Sequence, residues 1–233
     1  MSTESKIAMV LGATGLVGKA TVQQLLAHPD YQKVVVITRR SLGISHSKLD
    51  EHIIDFNALS DYSPLFNVQE VYCCLGTTIG KAGSQKEFYR VDHDLVVQSA
   101  KIAQMYARKF FLVSSIGANA WSMNFYLKVK GETERDVLQT TLESIYILRP
   151  SMLLGDRKEN RIGERIGKVL LKVFTPLMFG GLRKYRGIHA NTVAEAMLIL
   201  AKKDQKGKYY FENNDIQDLV DQRVRSGAMI PQL

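Results

Sequence analysis

The run Gly12-Ala13-Thr14-Gly15-Leu16-Val17-Gly18 constrains this chain more than any other stretch. Its glycines are spaced three apart. The apolar run KIAMVL (6–11) precedes it, and a helical pattern over 16–27 follows. Strand, glycine turn and helix in that order form the context that receives a pyrophosphate. Gly12 permits a tight turn, Gly15 lets a phosphate approach the backbone, and Gly18 lets the helix lie close to the strand. The helix start then offers free N–H groups and the positive end of its dipole. A ligand-free glycine turn is the competing reading, and the strand and helix on either side argue against it.

The rest of the chain alternates β-branched runs with helical stretches. Further strands are expected at 33–38, 51–55, 70–75, 110–113, 144–148 and 208–211, and helices at 92–106, at 124–138 and from about 191. His28 and Pro29 close the first helix, because proline cannot continue one. Continuous apolar strands separated by helices imply a mostly parallel sheet covered on both faces, an α/β doubly wound fold. Its ligand crevice lies beyond the carboxyl ends of the strands. The 233 residues are read as one domain over 1–233, with a small substrate or lid region at about 151–190.

The formal net charge is +8, which favours anionic partners. Between Arg157 and Arg186 nine basic residues face two acids, a net +7. Within that segment Ile162, Ile166, Val169, Leu170, Val173 and Phe174 fall on one helical stripe, ended by Pro176. A packed helix with a solvated basic face is the favoured reading for about 161–174. A lid over an anionic or acyl substrate and a membrane-surface helix are the alternatives. No aromatic platform accompanies the charge, so no nucleic acid is expected as a partner. The two cysteines, Cys73 and Cys74, are adjacent and cannot build a disulfide framework. With a polar stretch over 1–6 and no apolar run long enough to span a bilayer, a cytoplasmic location is expected. No His, Cys and Asp cluster has metal-ligand spacing.

A dinucleotide fold that prefers NAD places an acid at the end of the second strand, on the ribose 2′-hydroxyl. Here that position reads Thr38-Arg39-Arg40, without an acid. Guanidinium groups grip a 2′-phosphate that a carboxylate would repel, so NADP(H) is the expected cofactor. Tyr126 and Lys130 are four apart on an expected helix and share one face, and Ser114-Ser115 closes the strand before it. A free phenol has a pKa near ~10 and shuttles protons poorly at neutrality. An adjacent ammonium stabilises the phenolate, and a serine hydroxyl can hold a carbonyl oxygen as hydride arrives. Tyr126, Lys130 and a serine are therefore the candidate catalytic residues.

Taken together these motifs resemble the short-chain dehydrogenase/reductase superfamily, and within it the Tat-interacting-protein oxidoreductase group of atypical members. The resemblance is carried by Gly12–Gly18, Thr38–Arg40, Cys73–Thr78 with Gly80–Gly83, and Val91–Asp94. It continues through Ser114-Ser115 with Gly117-Ala118, Asn124–Glu132, and Arg149-Pro150 with Leu153, Leu154, Asp156 and Arg157. It implies a Rossmann-like NAD(P)-binding fold and hydride transfer between NADP(H) and a small carbonyl or alcohol. A catalytically silent NADPH-sensing or protein-binding module is the alternative. Thr14, Gly15, Leu16 and Val17 would line the pyrophosphate, and Arg39 with Arg40 the 2′-phosphate. Leu75 and Gly76 would pass along the adenosine ribose and pyrophosphate, and Asp55 would meet the adenine edge. Tyr126 would exchange the proton, and Lys130 would hold the nicotinamide ribose. Ser115 is preferred to Ser114 by analogy with the second serine of the paired motif. Arg149 and Arg157 would sit near the cofactor or substrate mouth.

Two departures stand out. Where extended relatives carry Asn, this chain has Asp92, which either holds Lys130 charged or caps a helix. The chain is also short for a nucleotide-sugar epimerase or dehydratase, which argues against that activity. The expected assembly is a monomer or homodimer.

Overall fold

A computed structural model describes residues 5–155 and 180–226. Seven strands form one sheet: β1 (Lys6–Leu11), β2 (Tyr31–Thr38), β3 (Leu49–Ile53), β4 (Glu70–Cys73), β5 (Lys109–Val113), β6 (Ser144–Arg149) and β9 (Gly207–Glu212). Two short strands, β7 (Leu153–Leu154) and β8 (Ile188–His189), pair apart from it. The sheet order is β3-β2-β1-β4-β5-β6-β9, and every neighbouring pair is parallel. This is the expected doubly wound arrangement, with its switch point between β1 and β4.

The period of two explains why the strands read as unbroken apolar runs. Ala8, Val10, Val34, Val36, Tyr72, Phe111, Tyr146 and Leu148 face one core. Met9, Leu11, Val35, Ile37, Val71, Phe110, Ile145 and Ile147 face the other. Helices α1 (Leu16–Ala27), α6 (Ala190–Ala201) and α7 (Asn213–Arg225) cover the first face. The second is covered by a 3-10 stretch (Phe56–Phe66), α4 (Leu95–Ala103) and α5 (Phe125–Val137). Both sides of the inner strands β1, β2, β4, β5 and β6 are thus largely withdrawn from water, while the edge strands β3 and β9 keep exposed positions.

An aromatic row crosses the sheet in register. Tyr72 stacks on Phe111 at 4.6 Å, Phe111 on Tyr146 at 4.9 Å, and Tyr146 on Tyr209 at 5.4 Å. These are directly opposed residues of β4, β5, β6 and β9. At the amino-terminal edge the buried Glu70 carboxylate accepts from the Tyr31 and Tyr72 hydroxyls at 2.6 and 2.8 Å and from Lys6 at 2.9 Å. A charge this deeply buried is retained only where each oxygen is hydrogen-bonded.

Several expected boundaries move. The strand expected at 51–55 is Leu49–Ile53, and the one at 70–75 ends at Cys73. The helix expected at 92–106 belongs to a run that starts earlier. Short helix α2 (Ile79–Ala82) leads to α3 (Gln85–Tyr89), which continues through a π-helical turn (Arg90–Asp94) into α4. Ser84 starts this run by accepting from the Glu87 N–H, so Asp92 lies inside a helix and caps nothing. Helix α7 was not foreseen, because its start at Glu212 carries none of the usual small polar caps. Arg157 and the basic stripe at 161–174 lie outside the described residues, as does most of the expected lid region.

Phe111 stacks on both sides in the aromatic row, so Phe111→Ala is expected to destabilise the fold by about 3–5 kcal/mol, measurable as a lowered urea midpoint with an unchanged slope.

Candidate functional site

The glycine loop separates structural from ligand-facing demands. Gly12 has φ +79°, and a Cβ there would lie 2.3 Å from the Cys74 carbonyl oxygen. A Cβ on Gly18 would lie 2.2 Å from the Gly12 carbonyl oxygen. Both glycines are therefore demanded by the protein's own backbone. Gly15 is different: its φ is −81°, and an added Cβ would meet only the Gly12 oxygen, at 3.3 Å. Its bareness relieves one tight contact but is not demanded by a backbone clash or by its φ. It heads α1, where no side chain caps the free N–H groups. Thr14 and Gly15 are exposed and Leu16 is half-buried, while Val17 points into the core and could meet a ligand only through its N–H. The loop fits an anionic ligand.

Arg39 and Arg40 follow β2 and are exposed. Thr38 shapes their turn, its hydroxyl donating to the Arg40 carbonyl at 2.9 Å. The nearby acid Glu51 is engaged elsewhere, accepting from Ser41 Oγ at 2.9 Å and the Leu42 N–H at 2.6 Å. Among the described residues neither guanidinium has an ion-pair partner. Asp55 is exposed, and its carboxylate accepts from the Asn57 N–H at 2.9 Å, heading the 3-10 stretch.

The tyrosine and lysine stand on α5. Asn124 starts this helix by accepting from the Leu127 N–H at 3.2 Å. Gly131 holds it against the loop after β5, since a Cβ there would lie 2.1 Å from the Ala120 nitrogen. Tyr126 is half-buried, its ring 5.7 Å from that of Phe88. Lys130 is buried, and its Nζ lies 2.7 Å from Asp92 Oδ1. Burial disfavours the charged amine, but the Asp92 carboxylate and Tyr126 outweigh it and hold the lysine pKa above its ordinary value.

Asp92 also accepts from the Thr77 N–H through Oδ2 at 2.8 Å. Gly76 rests on the pair: a Cβ there would lie 3.3 Å from Asp92 Oδ1 and 3.6 Å from Lys130 Nζ. Leu75, Gly76 and Thr77 are thereby tied to Lys130 where the chain leaves β4, beside the switch point. Cys73 is buried, and burial pushes its thiol up to about 12, which makes it an inert apolar residue.

The two serines part company. Buried Ser114 donates to Glu134 Oε1, whereas among the described residues the half-buried Ser115 hydroxyl makes only a 3.3 Å contact with its neighbour's carbonyl. Glu134 also holds Arg149, whose Nε lies 3.0 Å from Oε1 and whose Nη1 lies 3.1 Å from Glu212. The Arg149 guanidinium also sits 4.5 Å over the Tyr210 ring. It is thus committed to internal partners that join α5, β6 and β9. The sequence reading missed Glu134, although Tyr126, Lys130 and Glu134 fall four apart on one helical face.

A doubly wound sheet with a bare-backed glycine loop at its switch point defines a Rossmann-like protein. The chain belongs to the NAD dependent epimerase/dehydratase family, whose model matches residues 8–211. It is 37% identical over 200 residues to protein HTATIP2 of Rattus norvegicus, covering 84% of this chain and 81% of that protein. It is 34% identical over 206 residues to mitochondrial protein FMP52 of Candida albicans, covering 85% and 89% respectively. The expected resemblance to the atypical Tat-interacting-protein group is borne out. Among solved structures, a UDP-N-acetylglucosamine 4-epimerase from Methanobrevibacter ruminantium aligns with TM-score 0.66 and 16% identity, over 95% of this chain and 83% of that one. A Bacillus cereus UDP-glucuronic acid 4-epimerase in complex with NAD aligns with TM-score 0.64 and 17% identity, over 95% and 83%.

Gly18→Ala is expected to cost about 1–3 kcal/mol of stability through backbone overpacking. Gly15→Ala should stay within about 0.5 kcal/mol of the parent. Parallel urea denaturation of the two variants measures both.

Proposed function

We propose that this protein is an NADP(H)-dependent oxidoreductase acting on a small carbonyl or alcohol. The observation that carries the reading is the junction of Tyr126 and buried Lys130 on α5 with Gly76 at the end of β4, beside the bare glycine loop. Binding of a nicotinamide dinucleotide is supported by the family and by the NAD held in the Bacillus cereus epimerase structure. The choice of NADP(H) over NAD(H) rests on Arg39 and Arg40, two exposed guanidiniums with no acid paired to them among the described residues.

The loop over Thr14–Val17 would hold the pyrophosphate through N–H groups, and Lys130 the nicotinamide ribose. When bound, the reduced nicotinamide supplies the hydride. Ser115 would donate a hydrogen bond to the carbonyl oxygen of the substrate, Ser114 being spent on Glu134. Tyr126 would deliver its phenolic proton to that oxygen as negative charge develops there, and recover it in the reverse direction. A cytoplasmic setting suits the free thiols of Cys73 and Cys74.

The first test is titration of the purified protein with NADPH and, separately, NADH. Arg39→Ala with Arg40→Ala should weaken NADPH at least tenfold while leaving NADH within about twofold. Equal weakening of both would overturn the 2′-phosphate assignment. Tyr126→Phe should lower turnover of a reactive carbonyl about 10²–10⁴-fold with NADPH affinity nearly intact. If the parent protein binds NADPH but turns over no carbonyl in a broad panel, the sensing module becomes the better reading.

A further inference from the structure

Helix capping does not explain the acid at position 92. It lies within a continuous helical run, so it caps nothing. Its hydrogen bond from the Thr77 N–H could be accepted equally by an amide oxygen. What an amide cannot supply is the negative charge set 2.7 Å from the Lys130 ammonium. Replacing the whole pair by uncharged packing would cost little, so stability alone does not explain why the site keeps a charged pair; with Lys130 in place, the Asp92 charge is what compensates the buried ammonium. Among the described residues three titratable groups face Lys130. Asp92 comes from the π-helical turn and Tyr126 from α5 itself, and Cys73 on β4 remains an uncharged thiol. The lysine and its acid therefore form a unit of zero net charge.

The oxidised and reduced nicotinamide cofactors differ by one positive charge, on the ring bonded to the ribose that Lys130 is read as holding. An uncompensated ammonium beside that ribose would repel the oxidised ring and leave the reduced ring unaffected. We infer that Asp92 is a specificity-determining residue that cancels the Lys130 charge and so lets the site bind the oxidised and reduced cofactors with comparable affinity. The inference rests on the cofactor reading above and adds a role for Asp92 within it. That role does not depend on which substrate is turned over.

Calorimetric titration with NADP+, NADPH, NAD+ and NADH tests it without a substrate. For whichever pair the parent binds, Asp92→Asn should weaken the oxidised form about tenfold and leave the reduced form within about twofold. Lys130→Met should shift the ratio of the two affinities the opposite way, towards the oxidised form. The double variant, which removes both charges, should return the ratio to within about threefold of the parental value even if both affinities fall. Equal weakening of both forms by Asp92→Asn, with the ratio unmoved, would reduce Asp92 to a positioning residue and overturn the inference alone. If Asp92→Asn does not fold, Lys130→Met decides, and an unmoved ratio there overturns it as well. A parent that binds none of the four overturns the cofactor reading, and this inference with it.

Discussion

Everything in this molecule is arranged around one backbone crossing. The Gly12 turn passes so close to the Cys74 carbonyl, and Gly18 so close to Gly12, that neither position has room for a methyl group. The crossing pulls α1 down onto the junction of β1 and β4, which brings the helix start and the end of β4 to one crevice. Hydrophobic burial on both faces of the sheet holds the layers together but is indifferent to where a ligand sits. The glycine contacts are what place an uncapped helix end at the switch point.

The second organising element is the ion pair of Lys130 and Asp92. Its members come from α5 and from the π-helical turn, and through Thr77 it also reaches the segment leaving β4. The Thr133 hydroxyl lies 2.9 Å from the Asp92 carbonyl oxygen, which adds a neutral tie between the same two helices. A wider π-helical turn is a frequent mark of a functional position, because it presents a side chain that a regular helix would turn away. Gly76 completes the arrangement by resting its bare backbone against the pair.

Much of this was legible in the sequence for identifiable reasons. Strands buried on both faces read as apolar runs, and the spacing of Gly12, Gly15 and Gly18 reports a backbone contact directly. Tyr126 and Lys130 were legible because spacing of four is a local property of a helix. Asp92 stayed ambiguous because its choice of role depends on where a neighbouring helix begins. The signal for that beginning, Ser84 followed by Glu87, lies eight residues upstream. That Glu134 claims Ser114 could not be read locally, because the contact spans twenty residues. Arg149 read as a ligand-facing cation because nothing local reveals its acids. Glu134 and Glu212 reach it from α5 and from the last strand of the sheet.

That last attachment ties the site to the order in which the chain is made. In a parallel sheet no two neighbours can be joined by a tight hairpin, so each pairing waits for a crossover. β9 pairs with β6 across α6 and is the last strand of the sheet to leave the ribosome. Only on its arrival can Glu212 meet Arg149, whose other partner is Glu134 on the helix bearing Tyr126 and Lys130. A nascent chain halted before β9 can carry the glycine loop and Tyr126, yet the strut behind α5 lacks one end. Pairing of β9 and the bracing of α5 are therefore the same event.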